Sequence, residues 1–347
     1  TKISMDSTGN VTFTAKWDAN TAELLDGEKI CLIMKKLAGN KSTIYYVSDK
    51  SIKAIQKSNV APEISVTEDP NSIISTSNSG QPVYAWFENG VIKWWSKAEQ
   101  VSADTNMDYL CCRMDILTDI SGLSEWDVKK VTSMNYMFCD NYSLLDLTPL
   151  ANWQTGNVTD IQGMFSGCSQ LTNLTPLTNW QTGNVTDMRE MFDGCSKLTD
   201  LAPLTNWQTG NVTDMNHMFR ECIQLANLTP LANWQTGNVT DMDCMFYKCS
   251  QLINLTPLTN WQTGKVTNMS SMFRECSQLT NLASLANWQT GKVTDMSFMF
   301  YGCSQLANAS AINNWDITKV GENKFKGMFY GCPSHPTFTK RAGTWDS

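Results

Sequence analysis

The residues of this chain able to carry chemistry are two histidines, twelve cysteines and a recurrent aspartate. Catalysis by a nucleophile and its base, or by an acid and a partner carboxylate, needs unlike groups that converge. His217 falls on the outward side of a predicted short helix, and His335 follows the last repeat in "PSHPTF". Neither has an evident cysteine, serine or metal partner along the sequence. Cys168, Cys195, Cys222, Cys249, Cys276 and Cys303 are spaced by 27 residues, quite unlike the two-residue spacing of zinc knuckles. Cys111 with Cys112, and Cys244 with Cys249, come closer but lack matching pairs elsewhere. The periodic cysteines are therefore read as buried free thiols that pack like small apolar residues, with oxidation of ladder neighbours as the alternative. Asp160, Asp187, Asp214, Asp241 and Asp295 form a column interrupted by Asn268. One carboxylate per repeat supplies too few oxygens for calcium, so these are read as helix caps. No catalytic residue, metal-ligand set or cofactor is assigned.

The period itself decides the architecture. Trp126, Trp153, Trp180, Trp207, Trp234, Trp261, Trp288 and Trp315 recur every 27 residues. Self-similarity at such a fixed period is the signature of a solenoid, whose units cannot bury their apolar faces alone. In the unit "WQTGNVTDMREMFDGCSKLTDLAPLTN", Met188, Met191, Phe192 and Cys195 have the i, i+3, i+4, i+7 spacing of one helix face. Thr186 or Asp187 is placed to cap that helix, and Gly194 to turn the chain out of it. Leu198, Leu201 and Leu204 follow at intervals of three, with a short strand expected over 198–201 that Pro203 terminates. Stacking then makes ladders of tryptophan, cysteine and methionine-phenylalanine pairs, while Asn179 and its equivalents satisfy turn backbone. The fold class expected is an α/β solenoid of 27-residue units with short strands and short helices, preceded by a small mixed α+β cap region.

Four segments follow from this reading. Residues 1–20 end a preceding β module, 21–105 form a mixed N-terminal region, 106–332 form the solenoid, and 333–347 are a tail or the start of another module. "MDYLCCRMDILTDISGLSEW" keeps the leucine spacing without the phenylalanine and cysteine, as a leading cap would. Upstream, "NVTFTAKW" alternates like a strand, "SDKSIKAIQKS" is predicted as a short helix, and "TEDPNSIISTSNSGQ" as a loop. "PVYAWFENGVIKWWS" places Asn89 and Gly90 between two strand-like runs, a hairpin signal. Its Trp86, Trp94 and Trp95 are expected to cover the first coil, with an exposed aromatic platform as the alternative.

Composition narrows the function classes. The 347 residues are 41% hydrophobic, enough for a sizeable core. Lys plus Arg total 26 against 33 Asp plus Glu, with no basic run, so nucleic acid is not an expected partner. No run of about 18 apolar residues could span a membrane, and residues 1–30 lack the pattern of a secretion signal. Both termini read as cuts within a longer protein. The "NVT" triplets at Asn157, Asn184, Asn211 and Asn238 match the glycosylation acceptor pattern but would crowd sugars on successive coils, so they are read as chance.

The unit "NWxTxxVTDMxxMFxGCxxLxxL" resembles that of the BspA-like leucine-rich-repeat surface proteins of Gram-positive bacteria, over residues 107 to 332. "PVYAWFENGVIKWWSKAEQV" resembles the lead-in to such repeats, and "NVTFTAKW" is similar to the end of an internalin-type B repeat. The resemblance implies a right-handed coil of leucine-rich-repeat type and a secreted, cell-surface or wall-associated protein used for adhesion. No wall-sorting motif is present.

Recognition is expected where the copies differ while the packing letters stay fixed. Those letters are Arg189, Glu190 and Asp193; Asn216, His217, Arg220 and Glu221; Asp243, Cys244, Tyr247 and Lys248; Arg274 and Glu275; Phe298 and Tyr301. Arg189, His217, Arg220, Tyr247, Lys248, Arg274, Phe298 and Tyr301 make up the candidate binding strip, with Arg220, Tyr247, Arg274 and Tyr301 stacking across coils. The expectation is a non-enzymatic, extracellular adhesion or ligand-binding protein whose partner is a surface protein or glycan of a host or neighbouring cell. The alternative is a structural spacer or self-associating subunit of a surface fibre.

Overall fold

From Trp153 to Trp315 each tryptophan of the repeat meets the same obligation, that a buried indole nitrogen needs an acceptor, while the Trp126 nitrogen in the first coil is buried without one among the described residues. Trp207 Nε1 donates to the Leu177 carbonyl at 3.2 Å, Trp234 to Leu204 and Trp261 to Leu231, so each ring is pinned to the preceding coil. Repetition of that link turns the chain into a solenoid of 27-residue units. The computed structural model describes residues 2–5, 11–14 and 20–341.

The core is a set of parallel columns. Phe165, Phe192, Phe219, Phe246, Phe273 and Phe300 are fully buried, and successive rings stack at 5.7 to 5.9 Å between centroids. The leucines at intervals of three and the paired methionines are buried beside them, as is the tryptophan column. In the cysteine column, Sγ donates to a phenylalanine carbonyl of the coil before, as Cys222 does to Phe192 at 3.3 Å. Cys168, Cys195, Cys222, Cys249, Cys276 and Cys303 are free and buried. Burial pushes their thiols up; at Cys303 a hydrogen bond with Cys332 is the larger cause. Pairing of neighbours occurs instead at Cys112 and Cys139, whose disulfide joins the first two coils.

The segment expected to be helical is not. Across Met188 to Cys195 the amides of Met191, Asp193 and Cys195 donate three residues back, to Met188, Glu190 and Phe192. The intervening amides of Met188, Glu190, Phe192 and Gly194 donate forward, to the carbonyls of Asp214, Asn216, Met218 and Arg220 in the next coil. An α-helix would use all of these groups internally. Here Glu190 at φ 57° and Gly194 at φ 70° reverse the backbone hand twice, freeing every second amide to tie coil to coil. Overlapping turns thus reproduce the i, i+3, i+4, i+7 burial of a helix. The only helical geometry in each unit is a single 3₁₀ turn, as at Thr229–Leu231, where proline sits in the first turn and its missing amide costs nothing; Ala283–Leu285 and Ser310–Ile312 form the same turn without it.

Two other expectations change with it. No strand forms over 198–201; coils pair instead through isolated parallel bridges in the aspartate column, Asp187 with Asp214 and Asp214 with Asp241. Those aspartates cap turns rather than helices, Asp214 Oδ1 accepting from the Asn216 amide at 3.0 Å. The side chain that serves turn backbone is Asn184, donating to the Gly156 carbonyl at 2.7 Å, whereas Asn179 is exposed. Thr209 closes the remaining gap: its hydroxyl donates to the Gln235 carbonyl and accepts from the Gln235 amide.

The N-terminal region seals the first coil. Strands β1 (Lys2–Met5) and β2 (Val11–Thr14) pair antiparallel; residues 10 and 15–17 of the "NVTFTAKW" stretch, and residues 342–347 of the tail, lie outside the described residues. Strand β3 (Thr21–Glu23) leads to helix α1 (Gly27–Leu37), which the sequence reading missed. Asp26 caps it by accepting from the Lys29 amide, and Ile30, Cys31 and Met34 face inward. Its first residue lies against coil backbone: the Gly27 amide donates to the Asn106 carbonyl, and a Cβ there would overlap the backbone of Met107 and Asp108. Strand β4 (Ala54–Lys57) replaces the short helix expected in "SDKSIKAIQKS", because residues 54–57 find a partner for their amides in the hairpin. After the one-turn helix α2 (Ile64–Thr67) come β5 (Val83–Glu88) and β6 (Val91–Ser96), joined through left-handed Asn89 and Gly90, in a sheet ordered β4-β6-β5. Of the hairpin tryptophans Trp94 alone is buried; its Nε1 donates to the Gly122 carbonyl and its ring meets Trp126 at 6.1 Å. Trp86 and Trp95 are half-buried, and Trp95 lines a surface depression with Tyr84, Pro82 and Lys97. Strand β7 (Gln100–Ser102) then bridges β3 to β8 (Trp126–Asp127), carrying the parallel sheet into the repeats. At the far end β9 (Asp316–Ile317) pairs parallel with β10 (Lys340–Arg341).

Lys35 completes the seal. Because coils donate forward, the first coil's carbonyls face the N-terminal region with no preceding coil to fill them. The Lys35 ammonium, 1% exposed, donates to Cys112 and Val47 carbonyls at 2.7 Å and to that of Tyr45. Burial, the largest influence, lowers its pKa.

Candidate functional site

With the packing letters fixed, the turn segment presents its varying side chains in two outward columns. In one, a chain of contacts climbs from coil to coil. Asp193 pairs with Arg220 at 3.2 Å, and Arg220 lies over the Tyr247 ring at 6.0 Å. Arg274 sits between Tyr247 at 5.3 Å and Tyr301 at 4.8 Å, and Tyr301 stacks on Tyr330 at 5.1 Å. Lys248 covers Tyr247 from the side at 5.0 Å while pairing with Glu221 at 3.0 Å. Phe298 packs against Arg274 at 5.4 Å and edge-on to Tyr301. Guanidinium groups held over aromatic faces contribute about 0.5–1 kcal/mol each at such exposed sites, which orders side chains that would otherwise be mobile.

Six of the eight predicted strip residues are thus brought together: Arg220, Tyr247, Lys248, Arg274, Phe298 and Tyr301. Arg189 and His217 stand apart, in the column of left-handed residues and their neighbours. Arg189 is occupied by Asp187 at 2.7 Å and by Gln162 Oε1 at 2.9 Å. His217 lies beside Asn216, with Nδ1 3.1 Å from the Asn216 Oδ1. Tyr330, 65% exposed, was missed because two extra residues between Trp315 and Cys332 shift it out of the 27-residue register. The left-handed column also passed unnoticed. Its members Glu190, His217, Cys244, Ser271 and Phe298 have φ between 52° and 58°, at a cost of about 1–2 kcal/mol each. Gly163 at the same position was the available signal.

Electrostatically the face is acidic beneath its cations. Burial raises Asp193 to about 7, outweighing the opposing pull of Arg220, and raises Asp214 to about 6. Both lie above the ordinary carboxylate value near 3.8. The folded state therefore holds more protons than the unfolded chain from about pH 4 to 7, and the stability these groups contribute is lost as pH rises through that window. The thermal midpoint should accordingly be higher at pH 5 than at pH 8, and Asp193→Asn combined with Asp214→Asn should shrink the difference. A midpoint that rises with pH in the parent chain would contradict this account.

Comparison with known proteins gives one family. The model of the family described as "Mycoplasma protein of unknown function, DUF285" matches residues 87–201, 170–281 and 224–345, overlapping from the hairpin through the whole coil array. No curated protein and no solved structure matches the chain. Continuous coverage of the repeats by that model means that the chain belongs to the DUF285 family.

Proposed function

We propose that this chain is a non-enzymatic binding module of the cell surface, whose contact face is the ladder from Asp193 through Arg220, Tyr247, Arg274 and Tyr301 to Tyr330. The single observation that supports it is the ladder itself: arginine and tyrosine, the residue types favoured at interface centres, are held in line on a rigid scaffold by their own stacking. Preordered side chains lose little entropy on binding, so such a face suits a flat protein or glycan surface of a host or neighbouring cell. In the same reading the coil is right-handed and of leucine-rich-repeat type, its leucines at intervals of three lining the inner corner. The Cys112–Cys139 disulfide supports an extracellular location, since such bonds persist in oxidising compartments.

The test is a fourfold variant, Arg220→Ser, Tyr247→Ser, Arg274→Ser and Tyr301→Ser, screened with the parent against host matrix proteins and glycans. These side chains lie outside the core, so the variant should unfold within about 1 kcal/mol per site of the parent. Affinity for a captured surface ligand should fall by a factor of about 100 or more, given hot-spot losses of about 2 kcal/mol or above. Undiminished binding by the folded variant would sink the proposal.

A further inference from the structure

The second outward column holds a grouping that the ladder does not use. His217 and Cys244 occupy one position in successive coils, at φ 57° and 53°, and Asp243 immediately precedes Cys244. A ring nitrogen of His217, a carboxylate oxygen of Asp243 and Cys244 Sγ all lie within 4.8 Å of one another, on half-buried side chains. We propose that His217, Asp243 and Cys244 form a binding site for a divalent transition metal of the zinc type, with a remaining coordination position open to water or an incoming ligand.

The donor set selects the metal. One nitrogen, one sulfur and one oxygen suit a borderline-soft ion; calcium and magnesium want oxygens alone. Tetrahedral bonds of about 2.0–2.3 Å put donor atoms about 3.5 Å apart, so donors within 4.8 Å of one another have a short distance to draw in around the ion. The surroundings already orient two ligands. Asn216 Oδ1 can only accept, so it holds the proton on His217 Nδ1 and leaves the Nε2 lone pair for the metal. Ser270 Oγ donates to Asp243 Oδ1 at 2.6 Å, fixing the carboxylate. The backbone is fixed too: the His217 amide donates to the Asp243 carbonyl at 2.8 Å, and that of Cys244 to Ser270 at 2.9 Å. Among the described residues no other cluster of this kind occurs, and the corresponding pairs Gln162 with Gly163 and Ser270 with Ser271 lack the donors.

Binding is a proton exchange. An ordinary cysteine thiol carries its proton at neutral pH, and only the thiolate ligates a metal. As the metal–sulfur bond forms, the S–H bond breaks and one proton passes to solvent.

The test titrates the full chain with Zn²⁺ by calorimetry in two buffers of different protonation enthalpy, and with Co²⁺ by absorption. Expected are one equivalent bound, about one proton released, and a thiolate-to-cobalt charge-transfer band. His217→Ala, Asp243→Asn and Cys244→Ser should each weaken binding about tenfold or more with unchanged circular dichroism. Cys332→Ser with His335→Ala, at the far end of the array, should change nothing. The proposal is overturned by an absence of saturable Zn²⁺ binding, by a cobalt spectrum without the thiolate band in the parent chain, or by binding that survives all three substitutions.

Discussion

Replacing Lys35 by methionine is expected to cost about 3 kcal/mol and to loosen the N-terminal end first. The methionine keeps the packing volume but removes the ammonium donor from the carbonyls of Cys112, Tyr45 and Val47, leaving the first two only the weak, long contacts of the Cys31 thiol. An acceptor left buried without a partner costs about 1–3 kcal/mol, and hydrogen bonds from a charged donor lie at the upper end of that range. Relief from burying an ammonium offsets part of this loss. A solenoid unravels from whichever end is weakest, since each unit contacts only its neighbours. Denaturant unfolding followed by tryptophan fluorescence should show a lower midpoint, and amide exchange should accelerate in α1 and residues 107–113 before later coils respond. Parent-like exchange in those segments would remove Lys35 from its role as terminator.

Substituting Phe219 by alanine should be at least as damaging, and in a different way. Its ring is fully buried between Phe192 and Phe246, at 5.8 Å from each, and lies 6.3 Å from Trp234. Loss of the transferred surface together with the cavity left behind costs about 3–5 kcal/mol. The cavity interrupts two coil-to-coil interfaces in mid-array, where nearest-neighbour coupling carries the cooperativity. A single unfolding transition should therefore separate into two, one for each side of the break. Unfolding that stays single and shifts by less than about 1 kcal/mol would show that coupling does not run through the phenylalanine column.

The columns were legible because a fixed period leaves them nowhere else to go. Trp180, Leu198, Phe192 and Cys195 had to repeat in space as they do in sequence, and they are all buried. The error at Met188, Met191, Phe192 and Cys195 arose because periodicity reports only which residues share a face, and overlapping turns bury the same set. Backbone hand is carried by other letters: glycine recurs at 163, 167, 194 and 302, each with positive φ, in positions that otherwise hold Glu190, Glu221, Lys248 and Glu275. Helix α1 has its cap and face spacing in Asp26, Ile30, Cys31 and Met34, but a short amphipathic run that occurs once has no second copy to set it apart from loop. Likewise the closeness of His217 and Cys244 is a difference of 27 in residue number, invisible to a search for short metal motifs but plain once the chain is written in register.

The direction of the amides has a consequence for how such a chain can change over generations. Each unit offers its successor the same forward-pointing amides that its predecessor offers it, and returns to that predecessor the same indole and thiol donors, so interior units are interchangeable. A 27-residue segment can therefore be duplicated or lost by recombination anywhere in the interior without remaking either end. Each such event would lengthen or shorten the outer face by one rung of about 4.8 Å, the spacing of paired backbones. Reach thus becomes a heritable quantity counted in whole steps, adjustable independently of the side chains displayed on any single rung.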